Sequence, residues 1–344
     1  MQKIKYGIIG GSRIALRHLK ALASLKNFYE IKAISSRSLD NCKKIVESIK
    51  EYGFDVDGIQ VYDNYIEMLE KEDLDIVDIT TESGRHRAIT IDCLAHGINV
   101  LVEKPMAVTL DDCDAMINIA KEKGLKLFVS QQMRFSPSVM EVKKALDGGK
   151  FGKLLHSTVH IRWNRNKAYY EQAAWRGTKE QDGGTLLNQC IHSIDILRWL
   201  MGSEPVEVFA YTDNMIHPEI EIEDVGLALI KFKNGAYATI EGTVNIYPKN
   251  YEETLFVFGE KGTVKLGGKS LDTIVHWNVE NEKEPEVTKY DDTALSCYIK
   301  LFENIASCIT GNDEPMVSGF EARKTMELIH AIYKSAEKGV PVKL

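Results

Sequence analysis

The sequence has no basic run, no Cys-x-x-Cys pair and no apolar stretch long enough to cross a bilayer. The missing basic run, together with a net charge of −7, argues against a nucleic-acid-binding surface. The scattered positions of the six cysteines argue against a disulfide framework or a structural zinc site, and favour free thiols in a reducing compartment. The chain also begins without the apolar segment of a signal peptide. We therefore expect a cytoplasmic protein without a metal, a membrane or a nucleic acid as partner.

The length and the hydrophobic pattern predict two domains. A chain of 344 residues is long for one hydrophobic core. Up to Val129, apolar runs alternate with helical patterns, and this alternation predicts a parallel, doubly wound sheet. The later apolar runs, joined by hairpin turns such as Asn234-Gly235, predict a mainly antiparallel sheet with one face open. We expect an α/β protein with a dinucleotide-binding domain at 1–130 and an α+β domain for substrate binding and oligomerisation at 131–344.

A glycine turn follows the first predicted strand. Ile4 to Ile9 is an apolar run, and Gly10-Gly11-Ser12-Arg13-Ile14-Ala15 leads into a helical pattern. Strand, glycine turn and helix together are the context that a dinucleotide-binding fingerprint requires. Ser12 replaces the middle glycine of that fingerprint, and its hydroxyl could still bond a phosphate. The alternative interpretation is an ordinary strand-to-helix turn.

The end of the second predicted strand bears on the choice of cofactor. NAD-selective folds usually have an acidic residue there, on the ribose hydroxyls. This strand ends in Ser35-Ser36-Arg37 instead, and an arginine can pair with the 2′-phosphate of NADP. The sequence therefore favours NADP over NAD, although Arg37 could equally lie at a solvated helix start.

Two loops that follow later strands of the parallel sheet carry polar residues. Ligands bind beyond the carboxyl ends of such strands. Glu103-Lys104-Pro105 follows the run Ile98 to Val102, and the proline holds Lys104 in an extended conformation. The loop 80–86 can line the cofactor. Two alternatives stay open here, a solvent-exposed Lys104 and a His86 that only starts a helix.

A charged and aromatic segment lies between Arg162 and Arg176. Three arginines and a lysine alternate with four large aromatic residues. Cations and ring surfaces together suit an anionic ligand with a planar part, such as a nucleotide sugar. The alternatives are a long loop pinned by its aromatic residues and a subunit contact.

The segment that begins at Asp182 predicts a helix with a polar face. If the helix starts at Thr185, then Asn188, His192 and Asp195 fall on one face and apolar residues on the other. A polar stripe on a buried helix is unfavourable unless it lines a cavity. Because the Lys104 loop supplies a second candidate, we interpret His192 as catalytic, with Asp195 orienting its imidazole. The alternative is a buried histidine bonded to Asp195.

These motifs together resemble the Gfo/Idh/MocA oxidoreductases. The resemblance rests on the early Gly/Ala turn, strand-Glu-Lys-Pro, Arg134-Phe135 and the Gly-Gly-x-Leu-x-Asn-x-x-x-His-x-x-Asp segment from Gly183, and it covers the whole chain. It implies a Rossmann domain, then an α/β domain whose open sheet makes subunit contacts in a homodimer or homotetramer. It also implies that Lys104 contacts nicotinamide and substrate, and that His192 is an acid or base.

Within this family, Tyr169-Tyr170, Trp175-Arg176-Gly177 and Asn188-Gln189-x-x-His192 look most like UDP-N-acetylglucosaminuronate 3-dehydrogenases, which oxidise a sugar C3 hydroxyl. The residues expected to contact the cofactor are Gly10, Ser12, Arg13, Ile14, Ser36, Arg37, Thr81, His86, Glu103, Lys104 and Gln132. Those expected to contact the substrate are Lys104, Arg134, Arg162, Arg165, Tyr170, Trp175, Arg176, Asn188, Gln189 and His192.

Three positions depart from the family pattern. Ser12 and Ser36-Arg37 put a preference for NAD in doubt. Glu82 stands where proline is common, so the loop near nicotinamide can differ. Asn188 replaces a carboxylate of the inositol branch, which removes a second candidate base but matches the nucleotide-sugar branch.

The sequence predicts a reversible hydride transfer between a sugar secondary alcohol and a nicotinamide cofactor. His192 would take the hydroxyl proton, and Lys104 would stabilise the developing alkoxide. One alternative is the same chemistry on a free sugar, an inositol or a dihydrodiol. Another is a regulator that binds NAD(P) or a sugar without turnover.

Overall fold

The computed structural model describes residues 2–287 and 292–344. In the first part of the chain, apolar runs form short strands that are largely buried, except for the exposed edge strand Gln60–Tyr62, as expected for a parallel sheet covered on both faces. The strands are β1 (Ile4–Ile9), β2 (Tyr29–Ser35), β3 (Gln60–Tyr62), β4 (Ile76–Ile79), β5 (Asn99–Val102) and β6 (Leu127–Val129).

These six strands are parallel and pair in the order β3-β2-β1-β4-β5-β6. The order reverses direction between β1 and β4, and that switch point is where doubly wound sheets bind dinucleotides. The prediction of a parallel, doubly wound sheet is confirmed.

Helices join the strands of this sheet. They are α1 (Arg13–Leu22), α2 (Leu39–Glu51), α3 (Tyr65–Lys71), α4 (His86–Ala95) and α5 (Leu110–Lys123). α5 shows why they form where they do. The hydroxyl of Thr109 accepts the N–H of Asp112 at its start, and Gly124 ends it in the left-handed conformation, which only glycine adopts readily.

The second sheet is mixed but mainly antiparallel, and within residues 2–287 and 292–344 the one parallel pair in it is β7 with β10. Its order is β13-β12-β11-β7-β10-β9-β8-β14. The strands are β7 (Leu154–Arg162), β8 (Pro205–Asp213), β9 (Val225–Phe232), β10 (Tyr237–Thr243), β11 (Glu252–Gly259), β12 (Gly262–Gly267), β13 (Thr273–Val279) and β14 (Val342–Lys343). The predicted antiparallel character is confirmed.

The remaining helices are α6 (Pro137–Asp147), α7 (Lys167–Tyr170), α8 (Thr185–Asn188), α9 (Ile191–Met201), α10 (Thr293–Ile309) and α11 (Gly319–Lys338). The predicted helix from Thr185 is therefore two helices, because Gln189 and Cys190 interrupt it. The chain divides into two compact units, 1–132 with 295–323, and 133–294 with 324–344.

The described helices include none that is both long and apolar enough to span a bilayer. All six cysteines are buried free thiols.

Candidate active site

The β1–α1 turn has the form of an anion-binding helix start. Gly10 has φ +121°, and a Cβ there would meet the Thr80 carbonyl oxygen at 2.9 Å, so only glycine fits. Ser12 precedes α1 but makes no capping bond with its side chain, and the first turn of α1 holds no acidic residue. Free N–H groups at a helix start attract phosphate, and this turn therefore fits the pyrophosphate of a dinucleotide.

The hydroxyl of Ser12 is used within the fold. It donates to the carbonyl oxygen of Thr80 at 3.0 Å and so ties the glycine turn to the end of β4. The neighbouring Arg13 is exposed and Ile14 is partly exposed. We therefore expect the backbone N–H groups of this turn, rather than the Ser12 hydroxyl, to contact the phosphate.

Arg37 lies at the end of β2, where the cofactor ribose is expected. Its guanidinium is 3.3 Å from a carboxylate oxygen of Glu82, and the Arg37 side chain is 75% exposed. Ser36 precedes it, and its N–H donates to the Tyr62 carbonyl oxygen. Glu82, which departs from the family pattern, thus partly neutralises the cation that would select NADP. Such an exposed pair contributes only about 0–1 kcal/mol.

We expect that Arg37→Ala will weaken NADP binding by roughly 10-fold or more, because a charge-assisted bond to phosphate contributes about 1.5–3 kcal/mol. NAD binding should change by less than about threefold, since NAD lacks the 2′-phosphate. Titration of nicotinamide fluorescence with NADPH and NADH measures both constants. Glu82→Gln is the matched control, because it should free Arg37 and tighten NADPH alone. An equal change for both cofactors would exclude Arg37 as a phosphate contact.

His86 connects the two loops that follow β4 and β5. Its Nε2 lies 3.0 Å from the carbonyl oxygen of Thr81, and its Nδ1 lies 2.9 Å from that of Pro105. The side chain is buried, and burial lowers the pKa of His86 below its ordinary value despite these two bonds. A neutral imidazole has one N–H and can donate to only one of these two carbonyl oxygens at a time. Because both ring nitrogens face backbone carbonyls, His86 has a structural role here in place of the expected cofactor contact.

Lys104 lies at the carboxyl end of β5, as the sequence predicts, and is partly exposed. Its N–H donates to a carboxylate oxygen of Glu103 at 3.1 Å. Glu103 is only 6% exposed, and its carboxylate is used within the protein by this bond. We therefore do not expect Glu103 to contact the cofactor. Gln132 follows β6, and its buried Oε1 has no hydrogen-bond partner among the described residues. An unpaired buried acceptor fits a ligand that donates, such as the nicotinamide carboxamide.

In the second unit, Asn188 and Gln189 form a hydrogen-bonded chain just before α9. Gln189 Nε2 donates to the Asn188 side-chain oxygen at 2.9 Å and to the Tyr169 hydroxyl at 2.8 Å. Its oxygen accepts from Arg165 Nε at 2.9 Å. His192 is the second residue of α9 and is partly exposed. Gln189 therefore orients Asn188, rather than offering its own amide to a substrate.

The charged and aromatic segment forms a stack of rings and guanidinium groups. Arg165 lies between Trp163 and Tyr169, with its central carbon 4.9 and 5.0 Å from the ring centroids. Arg176 lies 4.3 Å from the Tyr169 centroid and 4.8 Å from that of Trp175. We call these five residues the arginine–aromatic stack.

One donor of the stack is unpaired. Arg176 also bonds the Tyr169 hydroxyl, but its buried Nε has no acceptor among the described residues. Arg165 donates to the Asn164 carbonyl oxygen at 2.7 Å. Two cations, ring faces and a donor without acceptor can bind an anion that carries a planar group.

Arg134 and Asp195 form a buried ion pair, which corrects one expectation. Arg134 donates from Nε and from a terminal nitrogen to the two carboxylate oxygens of Asp195, both at 2.7 Å. Each side chain is 1% exposed, so Arg134 is not available to a substrate. The Asp195 oxygens also accept from the Thr325 hydroxyl, and a role of Asp195 in orienting His192 stays a prediction.

Thr325 completes this pair, since its hydroxyl donates to Asp195 at 2.7 Å and accepts from Arg198 Nε at 3.0 Å. We expect Thr325→Val to lower the free energy of unfolding by about 1.5–3 kcal/mol, the usual contribution of a hydrogen bond to a charged group. Denaturant unfolding followed by circular dichroism measures this. Thr310→Val, at an exposed position, is the control and should change the same quantity by less than about 0.5 kcal/mol. Equal effects of the two changes would contradict this account.

Arg162 and Tyr170 are also used within the fold. Arg162 bonds Glu241 of β10 and Glu252 of β11, so its charge is already matched by two carboxylates. Tyr170 is 6% exposed and packs with Ile220 and Ile222, and burial raises the pKa of its hydroxyl well above the ordinary value. The structure thus removes the reason for expecting either residue at a substrate. Trp175 remains partly exposed.

His18 and Asp78 are buried ionisable residues that the sequence analysis missed. His18 lies on the apolar face of α1, with Ala15, Leu19 and Leu22, and Asp78 interrupts the apolar strand Ile76–Ile79. A charge at a position that periodicity marks as core is unfavourable without a partner. That conflict was the signal in the sequence.

The first unit thus defines a dinucleotide-binding protein, with a glycine turn, an uncapped helix start and a lysine at the carboxyl edge of one parallel sheet. The comparisons give the class. Residues 4–131 match the oxidoreductase family with an NAD-binding Rossmann fold, and residues 139–265 match the GFO/IDH/MocA C-terminal domain. The chain belongs to the Gfo/Idh/MocA family of oxidoreductases.

Three similar proteins show the range of this family. The WlbA dehydrogenase from Bordetella pertussis, solved with NADH and UDP-GlcNAcA, is 33% identical with a TM-score of 0.89, covering 100% of this chain and 99% of that one. Aldose-aldose oxidoreductase from Caulobacter crescentus is 26% identical with a TM-score of 0.84, covering 100% of both. Myo-inositol 2-dehydrogenase from Thermotoga maritima is 26% identical, covering 99% of this chain and 98% of the relative.

Proposed function

We propose that this protein transfers a hydride between a nicotinamide cofactor and the hydroxyl-bearing carbon C3 of a nucleotide sugar of the UDP-N-acetylhexosaminuronate type. The arginine–aromatic stack carries this proposal. It offers a nucleotide two guanidinium groups and three ring faces, and it bonds Asn188 through Gln189. The similarity to a dehydrogenase solved with NADH and UDP-GlcNAcA supports the same substrate class.

The roles of the side chains follow from their chemistry. In the oxidation, His192 takes the proton of the sugar hydroxyl, since a neutral imidazole is an effective base near neutral pH. Lys104, as an ammonium group, stabilises the negative charge that develops on that oxygen. Asn188 donates a hydrogen bond to the sugar. The cofactor, when bound, accepts the hydride from C3.

The preference for NADP over NAD is part of the proposal and rests on Arg37. The pairing of Arg37 with Glu82 weakens that preference. The similar dehydrogenase from Bordetella pertussis was solved with NADH. Both cofactors therefore belong in the test.

The decisive assay mixes the protein with NAD or NADP and one candidate alcohol, and follows nicotinamide absorbance. We expect turnover with UDP-N-acetylglucosaminuronate and at least about 10-fold less with UDP-N-acetylglucosamine, which lacks the carboxylate that a cation would bind. Turnover only with myo-inositol or a free sugar would contradict the nucleotide-sugar proposal.

The second candidate substrate is an inositol or another free polyol, as for the Thermotoga relative. It keeps the same fold and chemistry but would leave the arginine–aromatic stack without a ligand. The third candidate is a sensor that binds the cofactor without turnover. Tight cofactor binding with no reaction across the whole panel would favour the sensor.

We also propose that the protein is a homodimer or homotetramer joined through the outer face of the second sheet. That face exposes Tyr211, Leu227, Leu229 and Tyr237 by 49–64% each, and a contiguous apolar patch of this kind usually marks an interface. Light scattering of the purified protein measures the mass, and a monomer would refute this proposal. A cytoplasmic location is part of the proposal too, supported by the six free thiols.

A further inference from the structure

A buried imidazole lies between two carboxylates next to Lys104. His18 Nδ1 is 2.8 Å from an oxygen of Asp78, and its Nε2 is 3.1 Å from an oxygen of Glu103. The side chains of His18 and Asp78 are fully buried, and that of Glu103 is 8% exposed. The three residues come from α1, from β4 and from the loop after β5, so the contact spans three separate parts of the first unit.

Glu103 links this group to Lys104. One carboxylate oxygen pairs with His18, and the other accepts the N–H of Lys104 at 3.1 Å. The positive charge of Lys104 also helps to lower the pKa of Glu103. The same carboxylate therefore holds the Lys104 backbone and lies within electrostatic range of its ammonium group.

The imidazole of His18 is held in place by aromatic rings. Its centroid is 4.9 Å from that of Tyr298 and 5.4 Å from that of Phe302, both on α10. Tyr298 and Tyr6 of β1 also face the two carboxylates, and burial raises the pKa of both phenols well above the ordinary value. Both tyrosines are therefore neutral at pH 7.

His18 and Glu103 are both charged at neutral pH. Burial alone would lower the pKa of His18, but Asp78 and Glu103 outweigh it and raise the pKa to about 10. Burial likewise favours a protonated Glu103, but the ion pair with His18 and the charge of Lys104 bring the pKa of Glu103 to about 2. Glu103 is thus a permanent anion beside Lys104.

The fold alone does not explain this arrangement. Buried ion pairs seldom stabilise a protein more than well-packed apolar residues would, and positions 18 and 78 lie where the pattern calls for apolar side chains. Unusual buried charges next to a candidate catalytic residue point to a functional use.

We propose that His18 is a positioning residue for Lys104. By anchoring Glu103, it fixes the backbone of Lys104 and keeps a carboxylate beside the ammonium group, where an opposite charge favours the charged form of the amine. The role of Lys104 in the reaction rests on the proposed function. The link from His18 through Glu103 to Lys104 does not.

The test measures the reactivity of the Lys104 amine, which needs no substrate. Acetic anhydride labels only neutral amines, and peptide mass spectrometry gives the labelling of Lys104 relative to Lys167, whose side chain is 71% exposed. Glu103→Gln keeps an oxygen for the Lys104 N–H but removes the negative charge. The loss of a neighbouring opposite charge lowers a lysine pKa by about one unit or more, so relative labelling should rise roughly 10-fold.

His18→Gln should also raise the labelling of Lys104, because burial favours the protonated form of Glu103 once the imidazolium no longer pairs with it. The double variant His18→Gln with Glu103→Gln should label no faster than Glu103→Gln alone, since both changes act through one carboxylate.

Tyr6→Phe is the matched control. It removes a buried hydroxyl that faces the same two carboxylates but leaves every charge of the group, so labelling should change by less than about threefold. The NADH dissociation constant and the unfolding midpoint show that each variant is folded. If His18→Gln does not fold, His18→Asn takes its place, since it also removes the imidazolium.

Unchanged labelling of Lys104 in Glu103→Gln or in the folded His18 variant would overturn the proposal, and so would an equal rise in Tyr6→Phe, since that indicates general loosening. The result is independent of the sugar assay. Failure to oxidise a nucleotide sugar refutes the proposed function and leaves the labelling result intact.

Discussion

His192→Ala is expected to lower turnover of UDP-N-acetylglucosaminuronate by roughly 10²–10⁴, the usual range for loss of a general acid–base group. The variant has no side chain to take the proton of the sugar hydroxyl. NADH should bind as before, because the dinucleotide-binding elements belong to the first unit and His192 to the second. Initial rates and a fluorescence titration with NADH measure the two quantities.

His96→Ala is the control for this change. His96 ends α4 at an exposed position, and we expect its replacement to alter turnover by less than about twofold. Turnover of His192→Ala at the level of the unchanged protein would show that another group accepts the proton.

Lys104→Met is expected to lower kcat by roughly 10²–10³, the loss seen when one donor to a developing oxyanion is removed. Methionine is an unbranched side chain without the charge, so the negative charge on the sugar oxygen would lose its stabilising partner. Steady-state rates over a range of sugar and cofactor concentrations separate kcat from the two KM values.

The control for Lys104 is Lys126→Met, at a partly exposed lysine that pairs with Glu314 at 3.0 Å. It should change kcat by less than about twofold. A loss in Lys104→Met that is confined to the KM of the cofactor would assign Lys104 to cofactor binding alone.

The fold was predictable because it depends on local patterns. The apolar run Ile4 to Ile9 has the bounds of β1, and the alternation of apolar runs and helical patterns up to Val129 is the order of elements that the structure has. Glycines at helix ends, such as Gly124, carry the same information, since they mark where a left-handed residue is needed. Antiparallel pairing followed from hairpin turns such as Asn234-Gly235.

The partners of charged residues were not predictable in the same way. Arg134 pairs with Asp195, 61 positions away, and helical spacing alone did not indicate this pair. The break at Gln189 also changes which side chains share a face, and no proline marks it. The spacing of residues predicts which side chains share one face of a helix. It does not predict which side chain from a distant part of the sequence contacts that face.

Tyr170 and Arg162 show the same limit. Both fit a ligand-binding segment by residue type, yet one fills a small apolar cluster and the other bonds two glutamates of the sheet. The sequence showed that arginines and aromatic residues occur together in that segment. Which guanidinium group lies against which ring depends on the path of the loop, which residue types do not give. The conflict of charge and burial at His18 was readable from the sequence, whereas its link to Glu103 was not.

The central claim is that the hydrogen leaves C3 of the sugar as a hydride while His192 takes the proton. The most direct measurement uses UDP-N-acetylglucosaminuronate carrying deuterium at C3, with mass spectrometry of the reduced cofactor. We expect the unchanged protein to give reduced nicotinamide that carries deuterium. We expect His192→Ala to form the same deuterated cofactor far more slowly. Reduced cofactor without deuterium, or no reduction at all with this sugar, would contradict the central claim.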